Sequence, residues 1–269
     1  MSSSARLLPT RMVEKVWGRG HLPEPFAAPA GKRIGEIWFE PPAELDQLLV
    51  KYLFTSEKLS VQVHPGEATV HAGEAPKEEC WLVLDADPGA QLAIGFDREH
   101  DGGEIEAAAR DGSIERLLTW HDVSAGDIFY LPAGTVHAIG AGISLVEIQQ
   151  NSDTTFRLYD YGRPRELHLE RAMAVAHLGP HNPDDHATVS ARGQKLIDRH
   201  YFRVDRIEGT PDTATREAFG GSLLALPLEG ELSTPAGEMA KSGQCLFAPT
   251  IDALDFSAAR ITLLVRSNP

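Results

Sequence analysis

Two histidines and a glutamine stand where they could share one metal ion. Gln62 and His64 are two residues apart in the segment KLSVQVH, and on a strand such side chains face the same way. His137 closes the segment GDIFYLPAGTVH, where a turn at Pro132 to Gly134 would present it at the start of the next strand. A single histidine is more often an ordinary core or surface residue. The metal site is therefore predicted by Gln62, His64 and His137 together, and not by either histidine alone.

The segment that ends in His137 resembles the second motif of the cupin superfamily. That motif reads Gly, five residues, Pro-x-Gly, two residues and His, and it falls here on Gly126, Pro132, Gly134 and His137. The later Asn of the motif is replaced by Ala141. The first cupin motif is altered, because Gln62 replaces its first histidine and Glu79 follows His64 at a longer spacing than usual.

Four longer segments narrow the resemblance to one family. QVHP, KEECW, PAGTVHAIGAG and EIQQNSDTTFRLYDYGR are similar to type I phosphomannose isomerases of the short bacterial form, over most of residues 12–175. The resemblance implies a metal-dependent interconversion of mannose 6-phosphate and fructose 6-phosphate. It also implies that zinc is held by Gln62, His64, Glu79 and His137. Two nitrogen and two oxygen ligands suit Zn²⁺, but Fe²⁺, Mn²⁺ or Co²⁺ would accept the same set.

Isomerisation between an aldose and a ketose moves a proton through an enediol or enediolate, which requires a base and a stabiliser of negative charge. The resemblance places Glu147 as the base and Arg157 as the stabiliser. Lys77 is a second acid/base candidate, because it lies two residues before Glu79 and would share its strand face. Asp153 and His64 remain open as proton carriers, and a structural Glu147–Arg157 pair is the alternative to a catalytic Glu147.

The phosphate of the substrate needs cations in an acidic protein. The resemblance implies that Lys51, Ser60 and Arg163 bind it. Arg163 stands where many relatives carry another basic residue, and an arginine can bind phosphate through two hydrogen bonds. A solvated surface position is the alternative for Lys51.

Short segments rich in β-branched and aromatic residues predict an all-β chain. The resemblance implies a cupin barrel, that is, a double-stranded β-helix or jelly roll. Helical spacing predicts a short insertion over Glu104 to Trp120 and a second helix over Glu166 to Ala176. We expect a metal-binding cupin domain at 1–177, a linker at 178–195 and a degenerate cupin-like β domain at 196–269. GQCLFAP at Gly243 echoes GDIFYLP at Gly126, but no AGTVH follows its proline.

The composition limits the partners. A formal net charge of −14 argues against nucleic-acid and anionic-membrane surfaces, which require a basic footprint. No segment approaches the roughly 18 apolar residues of a membrane span, and the first residues lack a signal-peptide core. Two distant cysteines favour a reducing compartment. We therefore expect a cytoplasmic monomer or homodimer whose partner is a small sugar phosphate.

Two other functions compete with the isomerase. A non-catalytic, metal-containing sugar-binding or regulatory cupin could keep the metal and lose turnover, since a fold does not fix a function. A different cupin metalloenzyme, such as an oxygenase, is disfavoured by Gln62 in place of histidine. The joint presence of four ligands with Lys77, Glu147 and Arg157 favours the isomerase.

Overall fold

Three β-sheets and three short α-helices make up the part of the chain that the computed structural model describes, residues 4–189 and 194–268. In chain order the strands are β1 (Arg6–Leu7), β2 (Thr10–Arg19), β3 (Ile34–Phe39), β4 (Leu48–Phe54), β5 (Val61–Val63), β6 (Glu79–Ala86), β7 (Gln91–Phe96), β8 (Leu118–Asp122), β9 (Asp127–Leu131), β10 (His137–Ile139), β11 (Ile143–Gln150), β12 (Phe156–Tyr159), β13 (His186–Thr188), β14 (Gln194–Asp198), β15 (Phe202–Glu208), β16 (Leu223–Ser233), β17 (Met239–Lys241), β18 (Leu246–Ala248) and β19 (Ala259–Ser267). The α-helices are α1 (Gly102–Asp111), α2 (Leu169–Val175) and α3 (Thr213–Ala218).

The first two sheets face each other. The seven-stranded sheet has the order β13-β9-β6-β11-β4-β3-β2, and the five-stranded sheet has the order β12-β5-β10-β7-β8. Apolar side chains from both sheets fill the space between them, including Leu53, Trp81, Phe129, Leu92 and Ile94. We call these two sheets the first sandwich, and the space between them its interior.

The central strands β4, β9 and β11 of the seven-stranded sheet are buried on both faces, whereas the edge strands β2 and β13 carry exposed residues. In β11, Leu145 packs in the interior of the first sandwich, whereas Val146 and Ile148 pack on the opposite face. The same alternation places Glu147 on the interior side with Leu145. Cys80 of β6 lies in the apolar core on the opposite face, as the alternation around Glu79 predicts.

Helices α1 and α2 cover the outer face of the five-stranded sheet. Ile105 and Ala109 of α1 and Ala172 of α2 pack with Val61 and Val63 of β5. The helix α1 begins with an Asp101 cap that accepts a hydrogen bond from Gly103 N, and it ends at Gly112, whose φ of 81° is left-handed. These helices fix the five-stranded sheet from outside.

The third sheet covers the other side of the seven-stranded sheet. Its order is β1-β18-β16-β19-β15-β14, and β17 pairs with β16. A shared apolar core joins the two sheets, in which Val204, Leu224 and Val265 meet Tyr52 and Val146. A second apolar core lies on the far face of the third sheet, around Phe219, Leu223, Ala225 and Leu264.

The predicted all-β cupin fold with a short helical insertion is confirmed, and its two sheets face each other without closing into a hydrogen-bonded barrel. The insertion differs from the expected Glu104 to Trp120, because the left-handed Gly112 ends α1 and Leu118–Asp122 pairs with β7. The domain boundaries at 177 and 195 stay a prediction. Within that linker β13 pairs with β9, and residues 190–193 lie outside the described residues.

Candidate active site

The predicted metal ligands meet in the interior of the first sandwich. Gln62 lies in β5 and His64 directly follows its last residue, and His137 begins the neighbouring strand β10, where it pairs directly with Gln62. Glu79 begins β6 in the facing sheet. The turn before His137 is held by a hydrogen bond from Gly134 N to His64 O at 2.9 Å. The four side chains therefore bridge the two sheets.

The distances between donor atoms fit one metal ion. His64 Nε2 lies 3.6 Å from Glu79 Oε2, and His137 Nε2 lies 3.5 Å from Glu79 Oε1. Two atoms each bonded at about 2.1 Å to a tetrahedral ion lie roughly 3.4 Å apart. In the described part of the chain, His64, Glu79 and His137 form the single group of three such residues with donor atoms within 4.8 Å of one another.

Both histidines present a lone pair to this group. The Nδ1 atom of His64 lies 2.8 Å from Thr154 O, and that of His137 lies 2.9 Å from Thr135 O. A carbonyl can only accept, so each Nδ1 carries the proton and each Nε2 is an acceptor. Burial lowers the pKa of both imidazoles, and the Lys77 ammonium lowers both further. The two rings are therefore neutral, as a metal requires.

Gln62 has the right position, but its amide nitrogen faces the site. Nε2 of Gln62 lies 3.3 Å from His137 Nε2, and Oε1 accepts a hydrogen bond from Ser60 Oγ at 3.0 Å. A metal would bind the oxygen, so Gln62 would become a ligand after its amide group turns and Oε1 and Nε2 exchange places. With that turn, the set of two imidazoles, one carboxylate and one amide oxygen fits a divalent ion.

The ammonium group of Lys77 contacts the same ligand atoms that a metal ion would bind. Its Nζ lies 2.7 Å from Glu79 Oε2 and 3.2 Å from His64 Nε2, and it is 3.5 Å from Glu147 Oε1. Burial alone would raise the pKa of Glu79, but the Lys77 ammonium holds it below its usual range. Glu79 is therefore an anion, able to bind either the ammonium or a metal.

A line of alternating charges continues from Lys77 along the seven-stranded sheet. Glu147 Oε1 lies 2.8 Å from Lys51 Nζ, and Trp81 Nε1 donates to Glu147 Oε2 at 3.2 Å. Lys51 Nζ lies 3.9 Å from Glu36 Oε1. Burial would lower the pKa of Lys51, but Glu147 and Glu36 raise it above its ordinary value. The Glu147 carboxylate is thus held by lysines rather than by Arg157.

Arg157 lies across the cleft that these residues line. It pairs with Gln62 in the register of β12 and β5. Its Nε is buried without a hydrogen-bond partner among the described residues. Burial and the neighbouring Arg165 lower the pKa of the guanidinium. A guanidinium whose Nε–H group has no hydrogen-bond partner among the described residues can bind an anion from solution.

The structure brings Lys51 and Ser60 to the cleft but not Arg163. Arg163 is not part of the cleft lining, and its guanidinium contacts Asp160 and Glu57, each at 3.2 Å. Arg165, two residues later, lines the cleft instead and pairs with Asp160 at 2.6 Å. Asp153, the alternative base, is exposed and does not line the cleft.

The cleft is small, with a volume of about 70 Å³. A larger cavity of about 470 Å³ lies between the first sandwich and the third sheet, and its lining includes Phe26, Tyr52, Leu82 and Arg206. We assign chemistry to the smaller cleft, because Gln62, Lys77 and Glu147 line it and the Lys77 ammonium contacts both His64 and Glu79. Size alone would have selected the other cavity.

Three charged residues of the cleft are absent from the sequence predictions: Lys15, Glu36 and Arg165. Glu36 is 6% exposed and accepts a 2.6 Å hydrogen bond from Trp38 Nε1. Its signal in the sequence was a glutamate inside the apolar strand IGEIWF. For Arg165 the signal was a second arginine two residues after Arg163.

No helix among the described residues is long and apolar enough to cross a membrane.

The comparisons with known proteins agree with the site. No family model matches the chain. The mannose-6-phosphate isomerase of Streptococcus mutans is 41% identical over 168 residues, which are 58% of this chain and 53% of that protein. The chain thus spans about half of that relative. YvyI of Bacillus subtilis, whose name assigns it provisionally to the same family, is 34% identical over 74% of this chain and 69% of its own length.

The fold agrees over nearly the whole chain. A crystal structure of the mannose 6-phosphate isomerase of Bacillus subtilis matches with a TM-score of 0.78 and 25% identity, covering 99% of this chain and 100% of that one. The similarity therefore includes the third sheet as well as the first sandwich. Together with the 34% identity over two thirds of YvyI, it shows that the chain belongs to the mannose-6-phosphate isomerase family.

Proposed function

We propose that the chain interconverts mannose 6-phosphate and fructose 6-phosphate in the cleft of the first sandwich. One observation carries the proposal. The donor atoms that fit a metal adjoin, within one buried cluster, a carboxylate and two ammonium groups suited to proton transfer. A protein that only binds sugar gains nothing from burying Lys51, Lys77, Glu79 and Glu147 together, because each buried charge costs free energy.

The metal would be held by Gln62 Oε1, His64 Nε2, Glu79 and His137 Nε2. When bound, a divalent ion there polarises a sugar oxygen and favours the enediolate. Zinc suits the mixed nitrogen and oxygen set, and Fe²⁺, Mn²⁺ or Co²⁺ suit it as well.

Glu147 is the base in this proposal. Its carboxylate takes the proton from C2 of the aldose and returns it to C1, and the reverse reaction follows the same path. Lys51 holds Oε1 at 2.8 Å and Trp81 holds Oε2 at 3.2 Å, so the carboxylate is fixed in the cleft. Lys77, 3.5 Å from the same Oε1, is placed to move a proton between the sugar oxygens.

Arg157 stabilises the negative charge of the enediolate. Its buried Nε has no partner among the described residues, so it can donate to a substrate oxygen without breaking an existing hydrogen bond. It is also separate from the carboxylate of the base, which is paired with Lys51. The base and the charge stabiliser can therefore act independently.

Cations at the cleft attract the phosphate. The buried cluster holds three glutamates, Glu36, Glu79 and Glu147, against two lysines, Lys51 and Lys77, so a divalent ion would turn a net negative cluster positive. Arg157, Arg165 and Lys15 add positive charge to the lining. A cleft of about 70 Å³ takes only the reacting end of the sugar, which leaves the phosphate near its mouth. We place the phosphate beside Arg165 rather than beside Arg163, because Lys51 is buried against the carboxylate of Glu147.

The test is a coupled assay for fructose 6-phosphate with metal-loaded chain and mannose 6-phosphate, beside a chelated sample. Metal-dependent conversion is the expected result. Bound metal and bound sugar phosphate without conversion would contradict the isomerase and identify the non-catalytic sugar-binding cupin.

The proposed partner is a small sugar phosphate, and the proposed location is the cytoplasm. Cys80 and Cys245 are both buried and free, which suits a reducing compartment. A monomer or homodimer stays our prediction for the oligomeric state.

A further inference from the structure

Ser60 contacts a metal ligand and lies deep inside the cleft. It is 2% exposed, and its Oγ donates to Gln62 Oε1 at 3.0 Å. The two residues are two apart along the chain entering β5, so their side chains share one face. The hydroxyl therefore touches the one candidate ligand that has two possible orientations.

The orientation of the Gln62 amide is set by its two neighbours. Nε2 faces His137 Nε2 at 3.3 Å, and that nitrogen is an acceptor because His137 Nδ1 donates to Thr135 O. Oε1 faces the Ser60 hydroxyl. This arrangement satisfies both ends of the amide, but it turns the nitrogen toward the metal ligands, and an amide NH₂ group cannot bind a metal.

Binding through Oε1 reverses both ends of the amide. Oε1 then points to the ion and Nε2 points to Ser60 Oγ. A serine hydroxyl can donate in one arrangement and accept in the other, because it has one hydrogen and two lone pairs. An alanine or any other apolar residue at this position could neither donate nor accept a hydrogen bond.

We propose that Ser60 is a positioning residue of the metal centre, whose hydroxyl holds the Gln62 amide in both orientations and stabilises the metal-binding one. The inference rests on the metal site of the proposed function, and not on the isomerase reaction. It gives Ser60 a role different from the phosphate contact that the family resemblance implies.

Removal of the hydroxyl should weaken metal binding. In Ser60→Ala the buried Nε2 of Gln62 has no acceptor when Oε1 faces the ion, and an unpaired buried donor is costly. Substitution of groups that orient metal ligands typically lowers metal affinity about 10- to 100-fold. We expect a loss within this range for Ser60→Ala.

The experiment measures the Zn²⁺ affinity of the full chain by competition with a chromophoric chelator. Ser60→Thr, which keeps a hydroxyl, should bind Zn²⁺ more tightly than Ser60→Ala. Ser144→Ala is the matched control, because Ser144 is also 2% exposed in the first sandwich but its hydroxyl has no hydrogen-bond partner among the described residues. Its Zn²⁺ affinity should equal that of the wild type.

Unchanged Zn²⁺ affinity in Ser60→Ala would overturn the inference. A raised KM for mannose 6-phosphate at saturating metal, with unchanged Zn²⁺ affinity, would also overturn it and would assign Ser60 to the phosphate. A wild-type chain that binds Zn²⁺ without isomerising the sugar would end the proposed function, whereas the affinities of the Ser60 variants would still decide this inference.

Discussion

Two segments of the chain share a pattern and differ in chemistry. GDIFYLPAGTVH in the first sandwich and GQCLFAPTIDAL at the third sheet each begin with a left-handed glycine, Gly126 at φ 96° and Gly243 at φ 85°. Each continues into a buried strand that ends before a proline. At the twelfth position the first segment has His137, a candidate ligand, and the second has Leu254, which is 6% exposed in an apolar core.

The buried charged side chains of the first sandwich and of the third sheet differ in the same way. The first sandwich buries Lys51, Lys77, Glu79 and Glu147 around two neutral histidines. Within residues 194–268 the structure buries one charged side chain, Asp205, and Arg203 neutralises it at 2.8 Å. Buried charges cost free energy, so a stable fold does not require the first arrangement. We therefore propose that the chemistry belongs to the first sandwich and that the third sheet contributes packing.

The largest expected effect is on metal affinity, and it distinguishes His137 from Leu254, the residues at the twelfth position of the two segments. His137→Ala should lower metal affinity by more than about 100-fold, since losing a ligand costs more than losing a group that orients one. Leu254→Ala should keep the wild-type affinity while losing about 2–5 kcal/mol of unfolding free energy. Chelator competition and denaturant unfolding measure the two quantities. Equal metal affinities in the two variants would break the comparison.

Neutralising the base is the next largest effect. Glu147→Gln should lower kcat by about 10²- to 10⁴-fold, the usual contribution of a general base, and it should retain bound metal. Asp205→Asn, which neutralises the buried carboxylate of the third sheet, should keep the wild-type kcat. Steady-state kinetics and metal analysis check both variants. A fully active Glu147→Gln would transfer the role of base to Lys77.

Arg157→Ala should lower kcat by about 10²- to 10³-fold, the range for losing one donor to a developing oxyanion. The variant should keep its fold and its metal, because Arg157 contacts neither a carboxylate nor a metal ligand in an ion pair among the described residues. Circular dichroism, metal analysis and kinetics measure these properties. Full activity of this variant would refute the proposed mechanism.

The two neighbouring arginines should differ in their effect on substrate binding. Arg165→Ala should raise KM by about 10- to 100-fold, since a hydrogen bond to a charged group contributes about 1.5–3 kcal/mol. Arg163→Ala should raise KM less, because its guanidinium contacts Asp160 and Glu57 outside the cleft. The reverse order would return the phosphate to Arg163, as the family resemblance implies.

The smallest effect concerns His100, at the start of α1 and outside both interiors. Burial would lower its pKa, but hydrogen bonds to Glu104 and Asp97 raise it. Its stabilisation is therefore complete below pH about 6.5 and is lost as the pH rises through the raised value. The partners are half-exposed, so we expect at most about 1 kcal/mol of unfolding free energy. His100→Asn should remove this pH dependence in denaturant unfolding, and an unchanged profile would contradict the assignment.

The sequence predicts the local part of the site. Alternation along β5 brings Gln62 and His64 to one face, and the turn at Pro132 to Gly134 presents His137 beside them. Both signals are local, since they depend on strand geometry and on one glycine turn. The family resemblance then supplied Glu79, which belongs to the facing sheet.

Local sequence patterns do not specify contacts between residues that are far apart in the chain. The approach of Glu36 to Lys51 depends on the pairing of β3 with β4, which no local pattern specifies. Arg163 and Arg165 both contact Asp160, and only the tertiary structure shows that Arg165 is the one that lines the cleft. The expected helical turns reach Arg116, because a 3-10 helix over Ser113–Arg116 follows α1, but not Trp120, because pairing with β7 outweighed the helical spacing of the last apolar residues.

The most direct test of the account is a titration of metal-free chain with Zn²⁺ while isomerisation of mannose 6-phosphate is followed. Activity should rise linearly to one equivalent of metal and then stop, and His137→Ala should show no rise over the same range. Activity in the fully chelated wild type, or a rise in His137→Ala equal to that of the wild type, would contradict the claim that the interior of the first sandwich holds the catalytic metal.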